Sequence, residues 1–233
     1  MNEKISKEIF ADKIVEYFEN FGIMSAVGDL DLDKIEKFHV LYTELIQWNK
    51  KINITAVTGE NEFIKKHIVD SAFLFKILDK GGKTIMDIGS GAGFPGIVLN
   101  IINPALNIVS IESIYKKCNF QKNISRKLNL HNFNCINMNI FSFNFDENLD
   151  AITTRAAFNT NELRNLIDKL DLKKNIDLYL FLSNLEEAEK IGHFKYRTKL
   201  IKLDRILFYK TEYSFRLIAK YTAVSKNLNL KSL

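Results

Sequence analysis

The chain has 233 residues, of which 46% are hydrophobic and 26% are charged, and its formal net charge is +5. These ordinary values exclude a disordered chain and a membrane protein, and a chain of this length buries roughly 70% of its unfolded surface. The two cysteines, Cys118 and Cys135, form no CxxC pair and no cluster with histidine, which argues against a disulfide scaffold and a zinc site. We therefore expect no bound metal and a reducing compartment.

Charge also bears on where the protein works and what it meets. Charged side chains interrupt the first segment, so we expect no signal sequence, no membrane span and a cytoplasmic protein. These side chains are Glu3, Lys4, Lys7, Glu8, Asp12 and Lys13. The isoelectric point near 9.0 favours encounters with polyanions such as nucleic acids. A coding bias toward lysine explains the same excess equally well.

Apolar residues recur at helical spacing through the first part of the chain. The first predicted helix has its apolar positions at Phe10, Ile14, Tyr17, Phe18 and Phe21. It stops at Gly22. A second helix begins near Asp33, which with Glu36 three residues later resembles a capping box. A third extends from Asn61 to Leu78.

After residue 80 the pattern changes to short apolar runs that alternate with helical ones, which is typical of a βαβ sheet. Strands are predicted at Thr84–Ile88, Asn107–Ile111, Asn134–Asn137, Ala151–Thr154 and Asp177–Leu182. Helices are predicted at Pro95–Ile102, Tyr115–Leu128, Glu162–Leu170 and Leu185–Ile191. Because helices cross between the strands, these five strands should be parallel.

Two further extended runs, Leu200–Tyr209 and Ser214–Ala223, are separated by the short polar link Lys210 to Tyr213. Such a link has room for a hairpin but not for a crossover helix, so the sheet should end antiparallel. We predict two regions: residues 1–80 form a helical extension that packs on the rest, and residues 81–233 form a Rossmann-like α/β domain. Its doubly wound sheet is mostly parallel and ends in an antiparallel hairpin.

A glycine-rich turn follows the first predicted strand. Residues 85–96 have the sequence IMDIGSGAGFPG, with Gly89, Gly91 and Gly93 at alternate positions. Glycines permit positive φ and let a ligand approach the backbone, and the N–H groups of a helix start point above the strand end. Ligands of open α/β sheets bind at that edge. An ordinary tight turn is the alternative, although it needs fewer glycines.

The turn alone does not distinguish a dinucleotide from S-adenosylmethionine. Residues 91–96 satisfy the pattern GxGxxG, and Glu112, which ends the second strand, is placed to bind the ribose that both ligands contain. Two features favour the methyl donor. Asp87 would face its cationic end but repel a pyrophosphate, and a terminal hairpin suits a methyltransferase sheet better than a dehydrogenase. An NAD-dependent oxidoreductase is the alternative.

Several blocks of the chain resemble the RsmG family, also called GidB. They are WNKKINITA at residues 48–56, KHIVDS at 66–71, DIGSGAGFPG at 87–96, Glu112-Ser113 followed by Lys117 and Phe120, and TRA at 154–156. The resemblance covers roughly residues 40–160. It implies the sheet of an S-adenosylmethionine-dependent methyltransferase. The implied activity is methylation of N7 of a guanine in 16S ribosomal RNA. The implied partner is the small-subunit RNA or its particle.

The resemblance also assigns residues. The family's cofactor contacts fall on Gly89, Phe94, Ile140, Phe141 and Arg155, and its acidic residue after the second strand falls on Glu112. Gly91 and Asp87 complete the predicted cofactor site. Phe141 is a departure, because the family usually has an acidic residue there, and Leu182-Ser183-Asn184 replaces a lysine–glycine segment. These departures raise a third hypothesis, a member of the fold that binds RNA without turnover.

Guanine N7 carries no proton that must be removed, so we predict no general base and expect catalysis from alignment of the reacting groups. Arg155 follows the fourth strand and faces the predicted cleft. It is therefore the candidate catalytic residue at both cofactor and substrate. A structural ion pair is the alternative.

Polar and basic residues of the N-terminal region are candidates for supporting roles. We predict that five of them order the helices over the cleft, although helix caps and buried polar networks explain them equally well. They are Asn53, Thr55, His67, Asp70 and Ser71. Lys50, Lys51, Lys65 and Lys66 are candidates for contacts with RNA phosphates, and a solvated surface is the alternative for each. We expect a monomer.

Overall fold

Helices form the first part of the chain in the computed structural model, which describes residues 3–78, 81–143, 148–155, 158–170, 174–193, 196, 199–210 and 215–225. The first three helices are α1 (Glu3–Asn20), α2 (Met24–Val27) and α3 (Leu32–Ile52). α1 is followed by Gly22, whose φ of 60° lies in the left-handed region that commonly terminates helices. The predicted end of the first helix is confirmed.

The N-terminus of α3 is capped by Asp31. The Asp31 carboxylate accepts a hydrogen bond from the Lys34 backbone N–H at 2.9 Å, which satisfies one of the unpaired donors of the first turn. The predicted capping box of Asp33 and Glu36 is therefore wrong. Asp33 already lies within the helix, where its carboxylate pairs with Lys37 at 2.6 Å.

The third predicted helix corresponds to a single run of helical turns whose hydrogen-bonding pattern changes along its length. α4 (Glu60–Phe63) leads into a π-helical stretch at Ile64–Val69, which is followed by α5 (Asp70–Ala72) and a 3₁₀ turn at Phe73–Lys76. Apolar spacing predicted the helical run but not the π-helical stretch. Such stretches are frequent at functional sites.

Seven strands form one mixed sheet in the order β3-β2-β1-β4-β5-β7-β6. They are β1 (Thr84–Ile88), β2 (Asn107–Glu112), β3 (Phe133–Asn137), β4 (Ala151–Arg155), β5 (Ile176–Leu182), β6 (Lys199–Lys210) and β7 (Phe215–Ser225). β1 to β5 pair in parallel, and β7 pairs antiparallel with both β5 and β6. The predicted sheet is confirmed. Residues 211–214, which hold most of the predicted link, lie outside the described residues.

Helices cover both faces of this sheet. After the first strand they are α6 (Gly96–Ile102), α7 (Tyr115–Lys127), α8 (Thr160–Lys169) and α9 (Leu185–His193). α6, α7 and the N-terminal helices share one buried apolar cluster with one face, while α8 and α9 share a second cluster with the other. The predicted doubly wound arrangement is therefore confirmed.

The N-terminal helices pack directly on the sheet. Phe10, Phe38 and Phe63 are fully buried in the same apolar cluster as Ile85 and Ile218 of the sheet. The predicted boundary at residue 80 lies outside the described residues, and the division into two regions stays a prediction. Within the part of the chain that is described, no helix has both the length and the apolar character needed to cross a membrane.

Alanine at position 31 tests the cap of α3. Asp31→Ala removes the acceptor of the Lys34 N–H and should lower the free energy of unfolding by about 1 kcal/mol, as measured by urea denaturation. Asp33→Ala is the matched control, because it removes only an exposed pair with Lys37, worth about 0.3 kcal/mol. If Asp33→Ala lowered the unfolding free energy more than Asp31→Ala, Asp33 and not Asp31 would be the capping residue.

Candidate functional site

The turn after β1 brings glycine backbone to the carboxyl edge of the sheet. Its three alternate glycines all have positive φ, between 61° and 92°. A Cβ at Gly93 would clash with the Ile97 side chain, and one at Gly96 would lie 2.8 Å from a carboxylate oxygen of Asp87. Both positions need glycine, because α6 packs too closely on its surroundings for a side chain.

A buried polar network holds the turn against β2 and α7. The Glu112 carboxylate accepts hydrogen bonds from the backbone N–H groups of Gly91 at 2.8 Å and Ile114 at 2.7 Å. The side-chain amide of Gln121 donates to the Ser90 hydroxyl and to the Gly91 carbonyl, both at 2.8 Å. Because each oxygen of Glu112 already accepts a backbone bond, this residue shapes the turn. Its contact with a ribose stays a prediction.

Asp87 lies within the core, where β1 meets α6. Its side chain is 0% exposed, and Oδ2 accepts a hydrogen bond from the Gly96 backbone N–H at 2.8 Å. Burial disfavours the charged form and raises the pKa of Asp87 to about 7. Within the described residues, Oδ1 has no hydrogen-bond partner. Asp87 fixes the start of α6, and its predicted contact with the cationic end of a methyl donor stays a prediction.

A cavity of about 180 Å³ lies at the carboxyl ends of β1, β2 and β3. Three of the predicted cofactor residues, Gly89, Ile140 and Phe141, line it together with Phe158. Phe141 is 37% exposed and packs edge-to-face on Phe158, with 6.2 Å between ring centroids. The cavity thus combines apolar side chains with glycine backbone, a surface suited to a flat heteroaromatic ring.

Phe94 does not line that cavity. Its side chain is 2% exposed, and its ring stacks on the His67 ring with 4.3 Å between centroids. The Arg155 guanidinium lies over the Phe94 ring, 5.7 Å from the ring centroid. Phe94 therefore packs the turn against the N-terminal helices, and its predicted contact with a cofactor stays a prediction.

Arg155, the predicted catalytic residue, is held in a buried ionic network. Its Nη1 donates to Oδ2 of Asp70 at 3.0 Å and to the Lys66 carbonyl at 2.9 Å. Oδ1 of Asp70 accepts a hydrogen bond from the Tyr209 hydroxyl at 2.7 Å, and Nη1 of Arg216 lies 3.7 Å from Oδ2. The structural ion pair that the sequence left open is present, and it connects the N-terminal helices to β4, β6 and β7. Contact of Arg155 with substrate stays a prediction.

His67 is the neutral member of this network. Its Nδ1 lies 3.2 Å from Nη2 of Arg155, and its Nε2 lies 3.2 Å from the Thr55 hydroxyl. A guanidinium only donates, so Nδ1 accepts and the ring proton is on Nε2. Burial, together with the positive charges of Arg155 and Lys66, lowers the pKa of His67 well below its usual range. Thr55, His67 and Asp70 thus belong to one buried polar network, which is the alternative that the sequence left open for them. Their role in ordering the helices over the cleft stays a prediction.

A second cavity, of about 560 Å³, lies at the carboxyl ends of β4 and β5. Phe158 lines both cavities, so the two are neighbours. Arg155 and Arg216 contribute positive charge to the wall, and Glu187 of α9 is the one carboxylate among the described residues that line it. The arrangement provides a smaller cavity with aromatic rings and glycine backbone in its wall beside a larger one that also carries arginine and glutamate side chains.

The candidate RNA-binding lysines fall into two pairs. Lys50 and Lys51 are at the end of α3 and are exposed. Lys65 and Lys66 are half-buried: Lys65 lies over an aromatic ring at 4.9 Å, and Lys66 pairs with Glu62 at 2.6 Å. The first pair is accessible to a polyanion, whereas the second already contacts the N-terminal helices. RNA contact stays a prediction for all four.

Several residues of the two cavities and the network were not identified from the sequence, and four of them carry a charge, a ring or a hydroxyl used below. They are Phe158, Glu187, Tyr209 and Arg216. No motif contains them, and the only signal for Tyr209 and Arg216 was their place on two predicted strands. Within the described residues, no cluster of histidine, cysteine, aspartate and glutamate could hold a metal ion.

Comparison with protein families gives a match to the model of the GidB family, rRNA small subunit methyltransferase G, over residues 34–215. The match extends further at both ends than the residues from which the sequence resemblance was drawn. Two relatives carry the name Ribosomal RNA small subunit methyltransferase G. The protein from Lachnoclostridium phytofermentans is 37% identical over 150 residues, which are 62% of this chain and 62% of the relative.

The second relative, from Geobacter sp. strain M21, is 43% identical over 109 residues, which are 47% of this chain and 50% of the relative. The chain thus spans between half and two thirds of these relatives. Among solved structures, a SAM dependent methyltransferase from Aquifex aeolicus superimposes with a TM-score of 0.51 at 17% identity, over 70% of this chain and 93% of that one. This last similarity concerns the fold alone.

Neutralising Asp70 tests the ionic network. Asp70→Asn keeps the shape of the side chain but leaves the charge of Arg155 without its buried partner, which should cost about 3 kcal/mol of unfolding free energy. Tyr209→Phe is the matched control, because it keeps the ion pair and removes a single hydrogen bond, worth about 1–2 kcal/mol. Urea denaturation measures both. Equal losses of unfolding free energy in the two variants would mean that the Asp70–Arg155 ion pair stabilises the fold no more than the hydrogen bond from the Tyr209 hydroxyl does.

Acidification tests the neutral state of His67. Because its pKa is lowered in the folded protein, the unfolded chain binds a proton below about pH 6.5 that the folded protein does not. The unfolding free energy should therefore fall as the pH decreases, by up to about 1.4 kcal/mol per pH unit from this residue. His67→Gln should lack this component, and His131→Gln, at an exposed position, controls for removing a histidine. Identical pH profiles for wild type and His67→Gln would contradict the assignment.

Proposed function

Because this chain belongs to the GidB family, rRNA small subunit methyltransferase G, we propose that it transfers a methyl group from S-adenosylmethionine to N7 of a guanine in 16S ribosomal RNA. The pair of adjoining cavities at the carboxyl edge of the sheet carries the proposal. The smaller one suits the adenosine part of the cofactor. The larger one has the volume and the positive charge for a nucleotide of the substrate.

The residues of the turn fit the cofactor. Gly89 lines the smaller cavity and has a φ of 66°, so the turn presents backbone rather than a side chain to a ligand there. Ile140 and Phe141 offer an apolar wall for the adenine. Glu112 can accept ribose hydroxyls through its remaining lone pairs while it holds the turn. Phe141 contributes its ring and backbone where the family has a carboxylate.

The chain's own residues contribute alignment and exclusion of water. When bound, S-adenosylmethionine supplies an electrophilic methyl group on a positively charged sulfur, and guanine N7 accepts it without losing a proton. No general base is therefore needed, and alignment can supply roughly 7–11 kcal/mol of the barrier reduction. Phe158 forms a common wall of the two cavities, where the base and the donor would meet.

Arg155 is our candidate for the residue that contacts both ligands. It lines the larger cavity, and its guanidinium is fixed by Asp70, by the Lys66 carbonyl and by His67. A guanidinium fixed in this way binds phosphate or a base without first losing side-chain freedom. The ion pair and the substrate contact are therefore compatible, because the same restraint serves both.

The RNA partner is supported by charge. Lys50 and Lys51 present exposed ammonium groups at the end of α3, and Arg155 and Arg216 line the larger cavity. Such groups bind phosphates and make the affinity fall with salt. Ribosomal RNA also implies a cytoplasmic protein. A nicotinamide-dependent oxidoreductase is not favoured, because the named relatives are methyltransferases.

Transfer of a labelled methyl group tests the proposal. Purified protein and labelled S-adenosylmethionine are incubated with small ribosomal subunits that lack the modification, and the RNA is digested to nucleosides for mass analysis. We expect the label in 7-methylguanosine, and mass analysis of oligonucleotides from a parallel, base-specific nuclease digest maps the position. Label in another nucleoside, or binding of RNA without transfer, would refute the proposed reaction.

A thermal-shift measurement tests the cofactor separately. S-adenosylhomocysteine should raise the melting temperature, since a ligand that binds only the folded state stabilises it. NAD should leave it unchanged. If NAD raised the melting temperature and S-adenosylhomocysteine did not, S-adenosylmethionine would be excluded as the cofactor.

A further inference from the structure

Methylation at N7 restricts how the protein can recognise guanine. The N7 lone pair must face the methyl donor, so the common arginine contact to N7 and O6 is not available at the reacting base. Guanine differs from adenine on its opposite edge, where N1–H and the exocyclic N2 amine are both donors. A residue that recognises this edge must therefore present acceptors, and a carboxylate presents two.

The larger cavity has such a carboxylate on the side away from the cofactor. The cofactor cavity lies at the ends of β1, β2 and β3, and Phe158, which follows β4, lines both cavities. In the sheet, β5 lies beyond β4 on the side away from β1. Glu187 belongs to α9, which follows β5, and lines the larger cavity. A base with N7 toward Phe158 therefore has its N1 and N2 edge toward Glu187.

Local contacts hold Glu187 in place. Its Oε2 accepts a hydrogen bond from the Ser183 backbone N–H at 3.0 Å, and its own backbone N–H donates to the Asn184 side chain at 2.9 Å. The described part of the chain supplies no hydrogen bond to Oε1. The carboxylate is thus oriented by the end of β5, and one oxygen retains both of its acceptor positions.

We propose that the 560 Å³ cavity binds the target guanine, with Glu187 accepting hydrogen bonds from N1–H and from the N2 amine. The proposal rests on the function proposed above and names the residue that selects the base. Adenine lacks both donors, so Oε1 of Glu187 would receive no hydrogen bond from the base, and Oε2 would keep only that from the Ser183 N–H. A polar group left unpaired in this way is what makes a hydrogen-bonding site selective.

The two edges of the base then meet different parts of the site. Arg155 and Arg216 line the same cavity as Glu187, where their positive charges can attract the phosphate or O6. The reacting base must leave its stack to enter such a cavity. Phe158 on one side and the exposed ring of Phe215 on the rim are aromatic surfaces that can replace that stacking.

A chemical change in the RNA, combined with a change in the protein, tests the proposal. Inosine keeps N7, O6 and N1–H but lacks the N2 amine. Reconstituted small subunits carry either guanine or inosine at the methylated position mapped above, and kcat/KM is measured for the wild type and for Glu187→Gln. Glu186→Gln is the matched control, because Glu186 is its exposed neighbour and pairs with Lys190.

We expect the wild type to lose about 10- to 100-fold in kcat/KM when inosine replaces guanine, since a hydrogen bond to a charged group is lost. Glu187→Gln should lose a similar factor on guanine and should no longer distinguish the two RNAs. Glu186→Gln should behave as the wild type. The affinity for S-adenosylhomocysteine should be the same in all three proteins.

Three results would overturn the proposal. If Glu187→Gln still prefers guanine as strongly as the wild type, Glu187 does not contact the N2 amine. If Glu187→Gln loses activity equally on both RNAs, keeps the preference for guanine and melts at a lower temperature, then Glu187 supports the end of β5 instead of selecting the base. If the wild type transfers no methyl group to the guanine RNA, the proposed function itself fails, and base selection fails with it.

Discussion

A buried carboxylate, that of Asp70, is the constraint on which the arrangement of the cleft depends. Its side chain is 1% exposed, and an isolated charge in such a place is too costly to remain unpaired. Its partners come from three strands, with Arg155 on β4, Tyr209 on β6 and Arg216 on β7. The hydrogen bonds and ion pairs of Asp70 therefore fix the helical region, the centre of the sheet and the hairpin of β6 and β7 relative to one another.

The same constraint determines the chemical state of the residues around it. Arg155 points one nitrogen at Asp70 and the other at His67, so His67 must accept and stays neutral. The neutral ring can then stack on Phe94, which belongs to the glycine turn. Through this chain of contacts, the position of the turn depends on the N-terminal helices. Phe94 and Arg155, for which the sequence suggested ligand contacts, thus also help to hold the glycine turn in place.

The sheet and the turn could be predicted because their determinants are local. Strand and helix periods are visible in short windows, and the glycines are needed for the shape of the turn itself. The cap of α3 was misassigned because Asp31 and Asp33 are equally good acceptors, and only the backbone decides which one lies outside the helix. The sequence suggested an ion pair for Arg155 and a buried polar network for Asp70, but it could not pair these residues with each other or with Tyr209 and Arg216. Glu187 could not be identified either, since no local pattern distinguishes a buried carboxylate from an exposed one, and the cavity exists only after distant elements pack.

The sequence distances within the network have a consequence for how the protein is made. Asp70 is 85 residues from Arg155 and 139 residues from Tyr209. Contacts this far apart close large loops, whose entropic cost must be met before the contact is gained. The contacts of the glycine turn with the sheet and α7 are closer in sequence, since Gly91 is 21 residues from Glu112 and 30 residues from Gln121. On a translating ribosome, chains fold from the N-terminus. We therefore expect the glycine turn to reach its folded conformation well before the network around Arg155 is complete. The ability to position a substrate would thus arise only after the hairpin of β6 and β7 has emerged and Tyr209 and Arg216 can reach Asp70.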